Sequence, residues 1–260
     1  MPFVSLFPDS DYRHHLSLKR GDLARFFAPQ PDHAAVIAER NRWLDQNPEL
    51  YSAALDSAAP IVAEAFAALH VPDENGASAV GSLGRHLEPD IILLEKNADG
   101  IFRVVAGCVC FPSSWSFPEK LGQPLDFIHG IVPDLNASIG PAIARFLGKM
   151  TPGAVWERSN WGLSASPERN QHPSRQIRRL TLPVTPDRVW LRVEDQILAI
   201  LPETKALLFS IRIVTAPLAQ VREEEPAAAA GLRRALETMP EEMARYKGFS
   251  AVRQEVARLL

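Results

Sequence analysis

The sequence predicts an α+β fold in which an antiparallel sheet is preceded and followed by helices. Three observations support this prediction: an apolar helical stripe in the first third of the chain, short apolar segments separated by turns in the middle, and an alanine-rich helical tail. Strands that are interrupted by helices and then resume are typical of an α+β sheet with its helices on one face.

The first third of the chain is predicted to be helical. Residues 32–44 have the pattern of a short helix with Asp32 as its N-cap. A second, longer apolar stripe runs from residue 50 to residue 69, starts after Asn47-Pro48 and is interrupted or restarted at Pro60. Residues 72–84 are polar and contain glycine, so we expect a connection there. We therefore predict an N-terminal helical extension over residues 1–84.

The predicted sheet begins with a hairpin. Residues 91–95 and 101–110 are strand-like and flank the turn tetrapeptide Asn97-Ala-Asp-Gly100. Ser116 and Glu119 then have the spacing of a helix capping box, and an apolar helical face follows between residues 139 and 150.

Three more strands are expected at residues 154–161, 189–197 and 205–215, and helices complete the chain from Pro226 onward. This order of elements suits a PAS-like antiparallel sheet. We therefore predict a PAS-like domain with C-terminal helices over residues 85–260, the second of two units in the chain.

Composition excludes several classes of function. The chain has 260 residues, 46% of them hydrophobic, which is enough for a full core, and its net charge of -3 gives no general attraction for nucleic acid. It contains no apolar run of the roughly 20 residues that cross a bilayer, and its start lacks the pattern of a signal peptide. We expect a cytoplasmic protein with no nucleic-acid or membrane partner, in which Cys108 and Cys110 are buried thiols.

Aromatic residues, prolines and one histidine are crowded between residues 108 and 163, which is typical of a ligand pocket wall. The motifs are VAGCVCFPSSW (105–115), EKLGQPLDFIHGIVP (119–133) and RSNW (158–161), followed by LRVEDQIL (191–198) and LFSIR (208–212). In this order they resemble the heme-dependent oxidative N-demethylase alpha-subunit-like family. The resemblance covers roughly residues 85–250, and the residues before His86 contribute little to it.

The resemblance implies a PAS-like domain that binds heme b. It further implies an oxidoreductase that oxidises a small secondary methylamine with dioxygen and releases formaldehyde. The chain has no glycine-rich phosphate loop and no nucleotide-binding fingerprint, so flavin and nicotinamide are expected to bind elsewhere. The electrons would then come from a separate flavoprotein or reductase subunit.

His129 is the candidate iron ligand. A neutral imidazole nitrogen can bind iron, and proximal histidines are common in heme proteins. Spacing alone favours a histidine that is satisfied at a helix end before Gly130, whereas the resemblance, which includes the motif Ile-His-x-x-Val-Pro, favours a ligand. His86 and His172 are the fallback ligands.

Arg158 and Asn160 share one face of their predicted strand, and Trp161 lies on the other face. Arginine suits bidentate binding of a carboxylate such as a heme propionate, and asparagine offers both a donor and an acceptor near oxygen or an amine. The alternative is a surface arginine paired with an acidic neighbour. The resemblance places Arg158 and Trp161 at the cofactor and Asn160 at the catalytic site.

Polar side chains alternate along the strand that begins at residue 189. Trp190, Arg192, Glu194 and Gln196 share one face, which is either a solvated sheet face or the lining of a ligand cavity. In the second case Glu194 could accept an ammonium group or a proton as a catalytic residue. Arg192, with Arg212 from the next strand, would then bind heme propionates.

Two other classes of function remain open. A PAS-type sensor or binding module would use heme or a small apolar molecule to change a partner contact without catalysis. A structural subunit without cofactor would have its pocket filled by side chains.

Overall fold

The structure is a computed structural model that describes residues 3–72 and 79–260. Its strands are β1 (Lys19–Arg20), β2 (Ser52–Ala54), β3 (Asp90–Lys96), β4 (Phe102–Cys108), β5 (Val155–Ser164), β6 (Trp190–Ile200) and β7 (Leu207–Pro217). Within the described ranges these seven strands form one sheet in the order β1-β5-β6-β7-β3-β4-β2, and all neighbours are antiparallel. The predicted α+β class is confirmed.

The five long strands correspond to the five predicted strands. The hairpin of β3 and β4 is confirmed, and its turn is closed by Asn97, whose side-chain oxygen accepts the backbone N–H of Ile101 at 2.8 Å. Gly100 has a φ of 83°, a backbone angle that favours glycine over residues with a side chain. Pairing of β3 with β7 brings the first hairpin beside the last strand, so that the five long strands lie in the order β5-β6-β7-β3-β4.

The N-terminal helices are α1 (Leu23–Phe27), α2 (His33–Gln46), α3 (Pro48–Tyr51), α4 (Ala59–Ala68) and α5 (Val80–His86). The helix expected at residues 32–44 is present as α2. Asp32 precedes it but makes no side-chain capping bond, because its carboxylate pairs with Arg169 instead.

The prediction of a long helix after residue 47 was partly wrong. The chain leaves the helix after Tyr51 and pairs as β2 with the edge of β4, where Ser52 lies opposite Cys108. Backbone hydrogen bonds to that open edge outweigh the helical pattern, and the helix resumes only at α4. The polar connection at residues 72–84 was also wrong in its last part, which belongs to α5, while residues 73–78 lie outside the described residues.

Two helices follow the hairpin: α6 (Leu125–His129) and α7 (Leu135–Lys149). The capping box expected at Ser116 is not formed, because residues 118–120 make only a 3₁₀ turn whose N-cap is Phe117. The apolar face expected on α7 is present, yet Leu147 is the one buried residue of this helix. The rest of that face therefore lines open space beside the sheet.

The C-terminal helices are α8 (Leu218–Glu224), α9 (Pro226–Thr238), α10 (Glu241–Tyr246) and α11 (Arg253–Leu259). They pack on β5 and β6 in one hydrophobic cluster, whereas α2, α4 and α5 pack on β3 and β4 in another. Among the described residues, no helix has the length and apolar content needed to cross a membrane.

The first 84 residues contribute both edge strands, β1 and β2, to the sheet. Arg40 of α2 is fully buried and its guanidinium binds the carboxylate of Asp90 in β3 at 2.7 Å. The N-terminal helices thus share a core with the sheet, and the division of the chain at residue 84 stays a prediction.

Cys108 and Cys110 are both buried and free, as expected. Their sulfur atoms are 4.0 Å apart, because residues two positions apart in an extended segment point to the same side.

Candidate functional site

A cavity of about 320 Å³ lies between one face of the sheet and helix α7. Arg158 lies opposite Gln196 and Asn160 lies opposite Glu194 in the paired strands β5 and β6, so these four side chains share one face. All four line the cavity. Of the four residues on the face predicted to be either solvated or cavity-lining, Glu194 and Gln196 line this cavity, whereas Trp190 and Arg192 are not in its lining.

The part of the lining that comes from α7 and from strands β3 and β7 is apolar. Helix α7 and the segment before it present leucine, isoleucine, valine and phenylalanine side chains, and strands β3 and β7 add four more apolar residues. These lining residues are Val132, Leu135, Ile139, Ile143, Phe146 and Leu147 from the helical wall and Leu94, Leu207, Phe209 and Ile211 from the sheet. A mostly apolar cavity with a few polar groups is typical of a small-molecule or cofactor site.

His129 is the last residue of α6 and lines the cavity. Burial disfavours the charged ring and lowers the pKa of His129, and the nearby Arg158 guanidinium lowers it further, while Asp126 acts in the opposite direction. The ring is therefore neutral at pH 7, with one nitrogen lone pair available to a metal or a proton.

Glu194 is held by neutral hydrogen-bond donors. Its carboxylate accepts bonds from the hydroxyl of Ser113 at 2.6 Å, the amide of Gln196 at 3.0 Å and the amide of Asn160 at 3.3 Å. Ser113 in turn accepts a bond from Arg192 Nε at 2.9 Å. These contacts fix the carboxylate at the cavity wall and leave it without a cation within ion-pair distance among the residues the structure describes.

Arg158 is the least satisfied polar group of the cavity. Its Nε atom is buried and has no hydrogen-bond partner in the described part of the chain. Burial lowers the pKa of Arg158, an effect that the Glu194 carboxylate opposes. A buried N–H without an acceptor is costly, so this guanidinium is well suited to bind an anionic group of a ligand.

The other residues expected at the cofactor have different surroundings. Trp161 borders the cavity, but its ring is stacked on Phe249, with ring centroids 6.2 Å apart, in the core beneath the C-terminal helices. Arg192 and Arg212 are not among the residues that line the cavity.

Both of these arginines already bind protein acceptors. Arg192 donates to the carbonyl of Phe111 at 2.8 Å as well as to Ser113, and Arg212 pairs with Glu88 and donates to the carbonyl of Phe26. Both were expected to project into the pocket. Instead, the loop after β4 binds Arg192, and Glu88, just before β3, binds Arg212.

The fallback histidines lie away from the cavity. His86 is exposed at the end of α5 and its ring contacts the carbonyl of Ser82 at 2.9 Å. His172 is buried beside Tyr51 and its ring bonds to Ser174 at 2.8 Å. Neither is positioned to share a ligand with His129.

Residues near both ends of the chain also line the cavity, although no sequence pattern predicted them. The lining includes Tyr12, Arg13, His14 and His15 from the N-terminal segment, and Met243, Tyr246 and Lys247 from the end of α10. No periodicity or motif marks these residues, because their position follows from how distant segments pack across the sheet. In the part of the chain that is described, no group of three or more His, Cys, Asp or Glu side chains could hold a metal ion.

The structure is an α+β domain in which a neutral imidazole, an unsatisfied guanidinium and a fixed carboxylate face one partly apolar cavity. The family described as "Haem-dependent oxidative N-demethylase, alpha subunit-like" matches residues 44–257. The chain belongs to this family. Its description names haem dependence and an alpha subunit, and the latter implies an enzyme with further subunits.

The family match begins at residue 44. The sequence motifs had indicated a later start, near residue 85. The match therefore includes helices α3–α5 and the edge strand β2. The family domain contains part of the region that was predicted to be a separate extension.

Proposed function

We propose that this chain binds heme b through His129 and uses it to demethylate a small secondary methylamine with dioxygen. The proposal rests on the cavity, whose lining includes His129, Arg158, Asn160 and Glu194. These residues come from three separate sequence motifs. The family to which the chain belongs supports the same chemistry.

The residues present fit a heme group. The apolar wall formed by α7 would hold the apolar part of a heme, and the neutral imidazole of His129 would bind its iron. The buried Nε of Arg158 lacks an acceptor, which a propionate carboxylate would supply. These three groups are the ones we assign to cofactor binding.

Heme, when bound and reduced, supplies dioxygen activation and the oxidation of the N-methyl group. In the balanced overall reaction, the methylamine, dioxygen, two electrons and two protons give the demethylated amine, formaldehyde and water. The role of this chain is to bind and orient the amine and to exclude bulk water from it.

Glu194 is the residue we assign to the substrate nitrogen. An ammonium group is attracted to a carboxylate, and this carboxylate is already fixed by three neutral donors. Asn160 donates to Glu194 and faces the same cavity, so it positions the carboxylate and offers its amide oxygen to a substrate N–H.

We further propose that the electrons come from a separate flavoprotein or reductase subunit. The sequence has no nucleotide-binding fingerprint, and the family description implies more than one subunit.

The experiment that tests the proposed function is a formaldehyde assay. The heme-reconstituted protein, supplied with dimethylamine, dioxygen and a chemically reduced flavoprotein donor, should release formaldehyde in proportion to the amine consumed. The Glu194→Gln variant should retain the heme spectrum and lose most of this activity, with the Asp195→Asn variant as the control. A stable heme complex without formaldehyde release from any methylamine tested would favour a sensor and contradict the enzyme.

A further inference from the structure

The charges around the cavity are unbalanced for a ligand that is only a cation. Among the lining residues that the structure describes, three side chains are cationic and one is a carboxylate. The cations are Arg13, Arg158 and Lys247, and the carboxylate is Glu194. A plain alkylammonium ion would be attracted by one of these groups and repelled by three. An anionic group on the ligand would reverse that balance.

Lys247 is the best-placed of these cations. Its Nζ atom donates to the backbone carbonyl of Trp161 at 2.5 Å and lies 5.1 Å from the centroid of the indole ring. These contacts fix the ammonium group at the cavity edge, and they use one of its three N–H donors. The remaining donors are available to a ligand oxygen.

The side chains of Lys247, Arg158 and Glu194 line the same cavity and influence one another's charge. Burial and Arg158 lower the pKa of Lys247 and Glu194 opposes them, with a net pKa of about 8. Asn160, whose amide bonds to Glu194, directly precedes the residue whose carbonyl binds Lys247. The cavity therefore offers one small ligand an ammonium acceptor at Glu194 and a cationic donor at Lys247.

We propose that Lys247 binds a substrate carboxylate beside Glu194, so that the preferred substrate is an N-methyl amino acid and not a plain methylamine. In this arrangement Glu194 binds the substrate ammonium group and Lys247 binds its carboxylate, while Arg158 remains with the heme propionate. The reaction assigned to this substrate rests on the proposed function, whereas the binding preference does not.

A heme propionate offers the same carboxylate chemistry. If one propionate occupied both cations, the substrate would meet Glu194 alone, and the preference for an amino acid would vanish. The two sources of carboxylate can be separated because only the substrate can be varied at fixed heme content.

The test compares the binding of sarcosine and dimethylamine to the heme-reconstituted protein by isothermal titration calorimetry. Sarcosine and dimethylamine are both secondary methylamines, but only sarcosine carries a carboxylate. Sarcosine should bind at least roughly tenfold more tightly, as expected for charge-assisted hydrogen bonds. The Lys247→Met variant should weaken sarcosine binding by roughly tenfold and leave dimethylamine binding within about twofold.

Two variants serve as controls. Lys149→Met removes a lysine at the exposed end of α7, outside the cavity lining, and should leave both affinities unchanged. Lys247→Arg keeps the charge and should retain the sarcosine preference. Far-ultraviolet circular dichroism and the Soret absorbance of each variant report folding and heme content.

Equal binding of sarcosine and dimethylamine would overturn the inference. So would an unchanged sarcosine preference in a folded Lys247→Met variant. Loss of heme affinity in Lys247→Met with the sarcosine preference intact would assign the lysine to a propionate and also overturn it. A sarcosine preference that depends on Lys247, in a protein that releases no formaldehyde, would support the carboxylate site and contradict the demethylase.

Discussion

Replacing Arg40 with methionine should strongly destabilise the protein. Arg40 and Asp90 are 0% and 1% exposed, and the guanidinium binds the Asp90 carboxylate at 2.7 Å, the Gly84 carbonyl at 2.8 Å and the Glu88 carbonyl at 3.2 Å. Methionine fills part of the volume but leaves a buried carboxylate without its cation. Loss of one member of a buried ion pair costs about 3–5 kcal/mol.

This cost is a large fraction of the roughly 5–15 kcal/mol that stabilises a typical domain. At about 2–4 °C per kcal/mol for a chain of this size, the midpoint of thermal unfolding should fall by roughly 6–20 °C. Urea denaturation followed by circular dichroism measures the free-energy change directly. The double variant Arg40→Met with Asp90→Asn should lose less than the sum of the two single variants, because the pair is removed together.

The contact also tests how the chain is organised. Arg40 lies in the region predicted to be an extension, and Asp90 begins the first long strand. A loss of less than about 1 kcal/mol in Arg40→Met would refute the reasoning from burial. Two separate unfolding transitions in the unsubstituted protein would show that the N-terminal helices do not share a cooperative core with the sheet.

Three further predictions concern the cavity and its packing. Glu194→Gln should weaken the binding of sarcosine and dimethylamine in calorimetry, whereas Asp195→Asn, on the opposite face of the same strand, should not; equal effects would contradict the assignment. Sarcosine binding should weaken as the pH rises above about 8, because burial and Arg158 lower the pKa of Lys247 to about 8 against the opposing effect of Glu194, and a flat profile between pH 7 and 9.5 would contradict this. Gly84→Ala would place a methyl group 2.2 Å from a buried thiol sulfur and should cost about 1–3 kcal/mol in urea denaturation, while Gly148→Ala, which meets nothing within 4 Å, should not destabilise.

The long strands could be predicted from the sequence because their signals are local. Alternation of apolar and polar residues along β5 and β6, and the turn at Asn97, are visible without knowledge of the partners. The pairing of β5 with β6 then placed Asn160 opposite Glu194, as a shared polar face requires.

The short edge strands could not be predicted in this way. β1 has two residues and β2 has three, which is too few for a period to appear, and β2 interrupts a helical apolar stripe. Their strand conformation is stabilised by the open edges of β5 and β4. That influence is visible only in the folded chain.

The cavity residues at the two ends of the chain were missed for a related reason. His15 and Lys247 are more than 200 residues apart in the sequence, and each lies outside any regular apolar pattern. Arg192 and Arg212 are the converse case. Their strand positions suggested that both side chains enter the pocket, but neither is in the cavity lining. Neighbouring carbonyl and carboxylate groups bind both side chains.

A heme titration of the unsubstituted protein and of the His129→Ala variant tests the central claim most directly. The unsubstituted protein should develop a Soret band, and His129→Ala should lose or shift it with a nearly unchanged far-ultraviolet spectrum, because the loss of one side chain at a helix end costs only on the order of 1 kcal/mol. The variants His15→Ala and His172→Ala should keep the band. The absence of a Soret band in the unsubstituted protein, or an identical band in His129→Ala, would contradict heme binding through this residue.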